Sequence, residues 1–374
     1  MPTQAWDMAP TVIANFCTGY SCAPPKAPGG YNMRMSFLCR LSRRICGLAS
    51  LAAVLLTVAS CDRRPADEVV IYCGVDEPVA SKVLDDFEKQ SGIHVAVRYD
   101  IEASKSVGLA GRLEAEKDYP QADVWWGSEA LLSVRLAEQD VLAPYQSPAA
   151  QDISARYKDA GGLWTGVALR ARVLAVAQGR AAPPFQVTGI ADLADPRLKN
   201  KTAMSRPTAG ATGAHLAALY ALWGPSEARV FFGRLHDNGI TLLGGNAEVA
   251  DQVGNGIYSL GLTDSDSVST AQANGGNLTM VVPDQAGDGA LAMPTSVALV
   301  KGARHPELAR KLIDYLIGRQ AEQKLIDMKF ARWSVRGEGA NSIRAMKVDY
   351  RAAAAQYARA QQEGTALMEG RKPE

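Results

Sequence analysis

Short β-branched runs alternate with stretches of helical period along most of this chain. Residues 69–73, Val-Val-Ile-Tyr-Cys, end at Gly74 and predict a buried strand. Pro78 then sits where a helix favours proline, at its first position, and Val79, Val83, Leu84 and Phe87 recur at helical spacing until Gly92 stops the run. Residues 93–99 alternate as a strand, 107–117 read as a helix, 122–126 as a third strand and 129–138 as a third helix. This βαβα order is that of a parallel sheet covered on both faces. A second set follows. It has a long extended segment at 163–177, a strand at 201–205, helices at 212–223 and 226–237, and strands at 240–243 and 258–263 flanking a helix at 246–253. Strands at 279–282 and 296–300 and helices at 306–317, 321–328 and 351–368 complete it.

No Pro/Gly/Ser-rich linker separates the two sets, so the pattern predicts an α/β protein whose two lobes are interwoven through strands. The crossings fall near 166–173 and 293–296. The expected bounds are 61–168 plus 294–374 for the first lobe and 169–293 for the second.

The first 60 residues stand apart. Arg40, Arg43 and Arg44 form a positive region, and 45–58 is an apolar run of 14 residues, the length of a signal-peptide core rather than of a membrane span. Val58-Ala59-Ser60-Cys61 then resembles a bacterial lipobox. The expectation is a lipoprotein signal peptide at 35–60 and lipidation of Cys61, which becomes the N-terminus of a protein tethered outside the cytoplasm. Residues 1–34 read as a non-native upstream leader, with translation starting at Met33 or Met35.

Removing the leader changes the bulk picture little. It takes 5 of the 40 Lys and Arg and 1 of the 39 Asp and Glu, which leaves 35 and 38, a net of −3 over 314 residues. A near-neutral surface carries no electrostatic footprint for nucleic acid. Of six cysteines only Cys61 and Cys73 remain, and with Cys61 lipidated no intrachain disulfide forms. Cys73 as a nucleophile needs a base beside it. His94, His215, His236 and His305 form no partner motif, so Cys73 reads as a small buried side chain. There is no Ser/His/Asp signature, zinc spacing or P-loop.

Several segments fit binding chemistry as well as ordinary capping. In 207–212, Pro-Thr-Ala-Gly-Ala-Thr, a strand gives way to a helix through small residues. Thr208, Ala209, Gly210 and Thr212 either cap that helix or receive an anion at its N-terminus. Asn246 opens a helix after Gly244-Gly245 with the same two options. Arg170 and Arg172 point to one face of a strand and either clamp an anion bidentately or form ion pairs. Asp264 and Asp266, beyond a strand end, fit a hard cation, an amine or a helix cap. Asp76, Glu77 and Glu129 follow strands and either approach a cleft or complement helix starts. Of Trp125 and Trp126, one belongs to the core and the other is available to a cleft wall.

In order along the chain, Val-Ile-Tyr-Cys-Gly-Val-Asp-Glu-Pro at 70–78, Phe-Glu-Lys-Gln-Ser-Gly-Ile at 87–93 and Gln-Ala-Asp-Val-Trp-Trp at 121–126 resemble the extracellular solute-binding proteins of bacterial ABC importers, in the group typified by ferric-ion-binding proteins. So do Gly166-Val167-Ala168, residues 207–212, Gly244-Gly245-Asn246, Gly-Leu-Thr-Asp at 261–264 and Ala-Arg-His-Pro-Glu at 303–307. The resemblance covers roughly 68–335. It implies a two-lobed periplasmic-binding-protein fold with a crossing-strand hinge, a ligand between the lobes and hinge closure on binding. It also implies delivery to an inner-membrane ABC permease, periplasmic placement, a monomer, no cofactor and no enzyme activity. An anion at 207–212, joined by Asn246, is implied too, as is Fe(III) as cargo, with Asp76, Glu129, Asp264 and Asp266 the available ligands. The chain departs from the ferric pattern at one place. Adjacent tyrosines are expected where Asp264-Ser265-Asp266 stands, and the chain has no Tyr-Tyr pair. An organic phosphate or phosphonate, bound without metal, is therefore the alternative cargo. A two-lobed enzyme using Cys73 is the alternative class.

Overall fold

The computed structural model describes residues 68–100, 107–207, 210–337 and 343–373. The expected signal peptide at 35–60 and Cys61 lie outside them, as do Thr208 and Ala209. In chain order the elements are β1 (Glu68–Cys73), α1 (Glu77–Ser91), β2 (His94–Tyr99), α2 (Val107–Ala115), β3 (Val124–Gly127), α3 (Ala130–Glu138), β4 (Leu142–Ala143) and β5 (Thr165–Ala177). Then come β6 (Thr202–Ser205), α4 (Gly210–Trp223), α5 (Pro225–Asp237), β7 (Thr241–Leu243), α6 (Asn246–Gly254), β8 (Leu260–Asp264), α7 (Ser265–Ala273) and β9 (Leu278–Val281). The last are β10 (Ala292–Val300), α8 (Pro306–Ile317), α9 (Arg319–Asp327), β11 (Trp333–Ser334) and α10 (Tyr350–Met368).

The fold is the two-lobed α/β architecture that the pattern implies. In the first lobe β2, β1 and β3 run parallel, and β10 joins β3 antiparallel. In the second, β8, β6 and β7 run parallel. Strand β5 belongs to both. Its first half pairs with β10, from Thr165↔Val297 to Ala171↔Ala292, and its second half pairs with β8, from Arg172↔Asp264 to Val176↔Leu260. The handover therefore falls between residues 171 and 172. Strand β10, expected as the second crossing, pairs with β3, β4 and the first half of β5. Its register shifts between Pro294 and Ser296, a bulge that accommodates a proline with no ladder donor.

Both sheets are covered on both faces. Val69, Ile71 and Cys73 pack into one cluster of the first lobe, and Val70 and Tyr72 into another. Likewise Leu174 and Val176 face one cluster of the second lobe, and Val173 and Ala175 the other. Every residue of β5 is buried, as befits a strand sandwiched along its whole length. Trp125 and Trp126 also fall on opposite faces, and both are fully buried. Neither lines a cleft, because β3 is interior on both sides.

The terminal helix α10, which the sequence groups with the first lobe, packs along α4 and α5 of the second lobe and reaches α3 of the first. Gly213 on α4 permits the approach: a Cβ there would meet Tyr357 Oη at 2.8 Å. Glu363, 6% exposed, anchors the helix by accepting hydrogen bonds from Tyr220, Arg229 and Arg359. Arg229 above all, with Arg359 and Tyr220, outweighs the cost of burial and holds its carboxyl down to about 2. A depressed carboxyl stabilises the fold above its unfolded pKa and loses that contribution as pH falls toward the folded value. Glu363→Gln is therefore expected to flatten the loss of stability between about pH 4.5 and pH 2. Melting temperature against pH measures it; an unchanged acid limb would show that Glu363 does not hold α10 in place.

Candidate functional site

A cleft of about 800 Å³ opens between the lobes. Its walls are the C-terminal ends of parallel strands and the helix starts that follow them, the position that open α/β sheets reserve for ligands. From the first lobe come Gly74 to Val79, at the end of β1 and the start of α1, with Asp100 after β2 and Ser128 after β3. From the second come Ser205, Arg206, Gly210 and Ala211 between β6 and α4, and Gly244 to Glu248 between β7 and α6. Asp264, Asp266, Ser267 and Thr270 follow from β8 and α7, and Arg170 of β5 completes the lining. The first turns of α1, α4, α6 and α7 thus converge on one space, and each presents unpaired backbone N–H groups. Gly210 turns into α4 with φ 58°, a left-handed conformation that suits glycine.

The described lining is acidic. Asp76, Glu77, Asp100, Glu248, Asp264 and Asp266 face Arg170 and Arg206. Arg206 pairs with Glu369, and Glu248 accepts the Gly244 N–H at 2.8 Å.

Two guanidinium groups of β5 are buried beside the cleft. Arg170, 2% exposed, donates through Nη1 to both oxygens of Asp266 at 3.2 and 3.1 Å, and through Nη2 to the Ser128 carbonyl at 2.8 Å. Its Nη1 also lies 3.6 Å from Asp264, and its plane covers the Phe330 ring. It thereby touches the first lobe at Ser128 and the second at Asp266. Arg172, with no exposed surface, donates through Nη1 to Asp264 at 2.6 Å and to Asn246 Oδ1 at 2.8 Å.

The structure gathers Gly210, Asn246, Arg170, Asp76, Asp264 and Asp266 at the cleft. It does not bring Thr212, Arg172 or Glu129 to the lining. Thr212 and Arg172 are fully buried behind it. Glu129 is folded back onto the first turn of α3, where it accepts from Leu131 N at 2.5 Å and Leu132 N at 3.1 Å. Burial pushes its carboxyl up to about 7 against the pull of those donors and of Arg170. Glu129 is thus a helix cap rather than a metal ligand.

Asp264 and Asp266 face arginines, which repel a cation. Among the described residues no group of three or more His, Cys, Asp or Glu is placed to hold a metal, and no tyrosine lines the cleft. Cys73 is buried with its thiol toward the Val75 carbonyl, and burial above all pushes that thiol far up, so it is inert as a nucleophile. The pattern of apolar positions points to the strand ends but not to Asp100, Ser128, Ser205, Arg206 or Thr270. The rule that ligands sit beyond the carboxyl ends of parallel strands is the signal that finds the first four.

Residues 69–328 match the model of the bacterial extracellular solute-binding proteins. The chain belongs to this family. It is thus a solute-binding protein of ABC-importer type, with a small ligand and a permease as partner. No helix among its described residues is long and apolar enough to cross a membrane.

This solute-binding protein is 25% identical over 291 residues to an uncharacterized protein of Haemophilus influenzae, an alignment covering 74% of this chain and 79% of that one. It is 26% identical over 251 residues to a putative 2-aminoethylphosphonate-binding periplasmic protein of Salmonella typhimurium, covering 66% and 71%. The apo ferric ion-binding protein A of Pasteurella haemolytica shares its fold with a TM-score of 0.70 at 21% identity, over 81% of this chain and 97% of that one. So does the periplasmic binding protein AfuA of Actinobacillus pleuropneumoniae, solved with fructose-6-phosphate, at 0.70, 21%, 81% and 98%.

The buried pairs make a stability test. Asp264→Ala leaves Arg172 without its carboxylate in the interior and is expected to cost roughly 3–5 kcal/mol in denaturant unfolding. A loss under about 1 kcal/mol, the worth of an exposed pair, would show that water reaches Arg172.

Proposed function

We propose that this solute-binding protein captures a small phosphorus oxyanion that also carries a cationic group, of the aminoalkylphosphonate class, and delivers it without a metal. The supporting observation is the cleft's two-sided chemistry. Helix N-termini of the second lobe supply N–H donors for an oxyanion, while acids that outnumber arginines among the described lining suit an ammonium group. The Salmonella relatives, named for 2-aminoethylphosphonate, agree with such a ligand. Fe(III) with a synergistic anion is the second reading, since Asp76, Asp264 and Asp266 share the cleft. The arginine partners of the last two weigh against it.

The mechanism is hinge closure about β5 and β10. A ligand touching both lobes favours the closed form by its differential contacts. Moving the population from 1:99 to 99:1 takes about 5.5 kcal/mol, the sum of a few charge-assisted hydrogen bonds at roughly 1.5–3 kcal/mol each. Lipidation of Cys61 keeps the loaded protein beside its permease. Incorporation of labelled palmitate that Cys61→Ser abolishes would support the anchor, and labelling that survives the substitution would rule it out.

The ligand test is thermal unfolding of the purified protein with 2-aminoethylphosphonate, inorganic phosphate or ferric citrate. A ligand at a hundredfold excess over its Kd stabilises by about 2.7 kcal/mol. The largest rise in Tm is expected with 2-aminoethylphosphonate and a smaller one with phosphate. Stabilisation by ferric citrate alone would replace this reading with the iron one.

A further inference from the structure

Behind the second-lobe wall of the cleft lies a sealed polar cluster whose protons can be counted. Asn246 Oδ1 accepts from Arg172 Nη1 at 2.8 Å, from Ser205 Oγ at 3.0 Å and from Thr212 Oγ1 at 3.3 Å. Because a guanidinium only donates, the atom that Arg172 meets must be the amide oxygen and not the nitrogen. The two hydrogens on Nη1 go one to Asn246 and one to Asp264. Ser205 and Thr212 also hydrogen-bond each other. Of their two hydroxyl protons one is spent within the pair and the other points to Asn246, which leaves neither for a ligand. Asp264 is the carboxylate that Arg172 touches. His215, buried on α4, is held well below the ordinary histidine range by burial and by the Arg172 cation, so it adds no competing charge. With its oxygen held inward by Arg172 and by one hydroxyl of the Ser205–Thr212 pair, Asn246 has its NH₂ group left for the cleft it lines, and among the described residues that nitrogen has no hydrogen-bond partner.

We propose that Arg172 is a positioning residue that fixes the polarity of the Asn246 amide, so that at this point of the wall the cleft meets a donor and not an acceptor, which favours groups that only accept, such as an ionised phosphonate or phosphate. The inference rests on the oxyanion reading above and extends it from which atoms meet the ligand to what decides their orientation. Arg172 does not touch the ligand. Freed from it, the amide can rotate by half a turn and present its oxygen, which repels an oxyanion.

The test uses the full chain purified in detergent, with inorganic phosphate and 2-aminoethylphosphonate as calorimetric probes. Arg172→Met is expected to weaken both roughly 10- to 100-fold, the worth of one charge-assisted hydrogen bond, and Arg172→Lys to restore part of the loss. In an Asn246→Ala background the same substitution should add little, because Arg172 then has no amide to orient. Asn246→Asp keeps acceptors for Arg172, Ser205 and Thr212, so it should fold and melt no lower than wild type yet bind neither probe. A loss on Arg172→Met of equal size with and without Asn246, or phosphate binding by Asn246→Asp at the wild-type Kd, overturns the proposal.

A ligand-free readout separates this from failure of the oxyanion reading. With ¹⁵N-labelled asparagine, the Asn246 side-chain NH₂ should give one sharp pair of resonances that broadens in Arg172→Met. An unchanged pair overturns the positioning role even if wild type binds neither probe. Wild type that binds neither probe while the pair does broaden overturns the oxyanion reading alone.

Discussion

Two guanidinium groups on one buried strand set the terms for the site. Taking a charge out of water costs several kcal/mol unless it meets a partner in good geometry. Arg170 and Arg172 sit on β5, which is covered on both faces, so their partners must come from strands and loops beside it. Asp264, the residue directly across from Arg172 in the register of β5 and β8, answers that need, and Asp266 on the next turn takes Arg170. The place where the strand passes from one sheet to the other is therefore also where opposite charges are locked together. It is a poor place to slide and a good place to pivot.

That commitment shapes the chemistry left to the cleft. Carboxylates held by arginines have little to give a metal ion, and arginines held by carboxylates are weakened as anion clamps. What remains for an oxyanion is backbone N–H at helix starts and the Asn246 amide. On the proposed reading, a cationic group would meet the acids at the first-lobe rim and on α6. A ligand with both kinds of group uses both walls, and a ligand that touches both walls is what closes a hinge.

The framework was legible in the chain because periodicity reports burial. The long extended segment that becomes β5, the Pro78-led amphipathic α1 and the Gly92 stop, where φ is 71°, all survive into the structure. Helix α7 was not legible. Ser-Asp-Ser-Val-Ser-Thr carries weak helix formers that favour caps and turns, and its acids read as a cation or amine site or as a helix cap, with no helix assigned over 265–273; packing of Val268 and Ala271 into the second-lobe core makes it a helix. The direction of polar side chains was legible only in part. Spacing of two put both arginines on one face, but alternation cannot say whether that face meets ligand or protein. For Arg172 the answer is protein. Asn246 is not the cap of its helix. Gly245 occupies the cap position, and the side-chain oxygen of Asn246 is turned inward by residues 34 to 74 positions away. Such long-range partners leave no mark in a local pattern.

The same reasoning locates the compliance in the molecule. Helix α10 lies along α4 and α5, anchored by Glu363, and its Gln361 donates to the Pro207 carbonyl at 2.9 Å, at the entry to α4. On the first-lobe side its ties are softer: the Arg135 guanidinium over the Tyr357 ring, the edge of Tyr350 against Trp164, a long hydrogen bond from Tyr350 Oη to the Ala292 carbonyl at 3.3 Å, and a pair between Asp159 and the exposed Arg351 at 3.6 Å. A buried ion pair with several hydrogen bonds resists displacement more steeply than a ring face or edge, which tolerates sliding. If the lobes rotate as proposed, α10 moves with the second lobe and the change is taken up at α3, so the proposed oxyanion wall keeps its geometry while the cleft changes width.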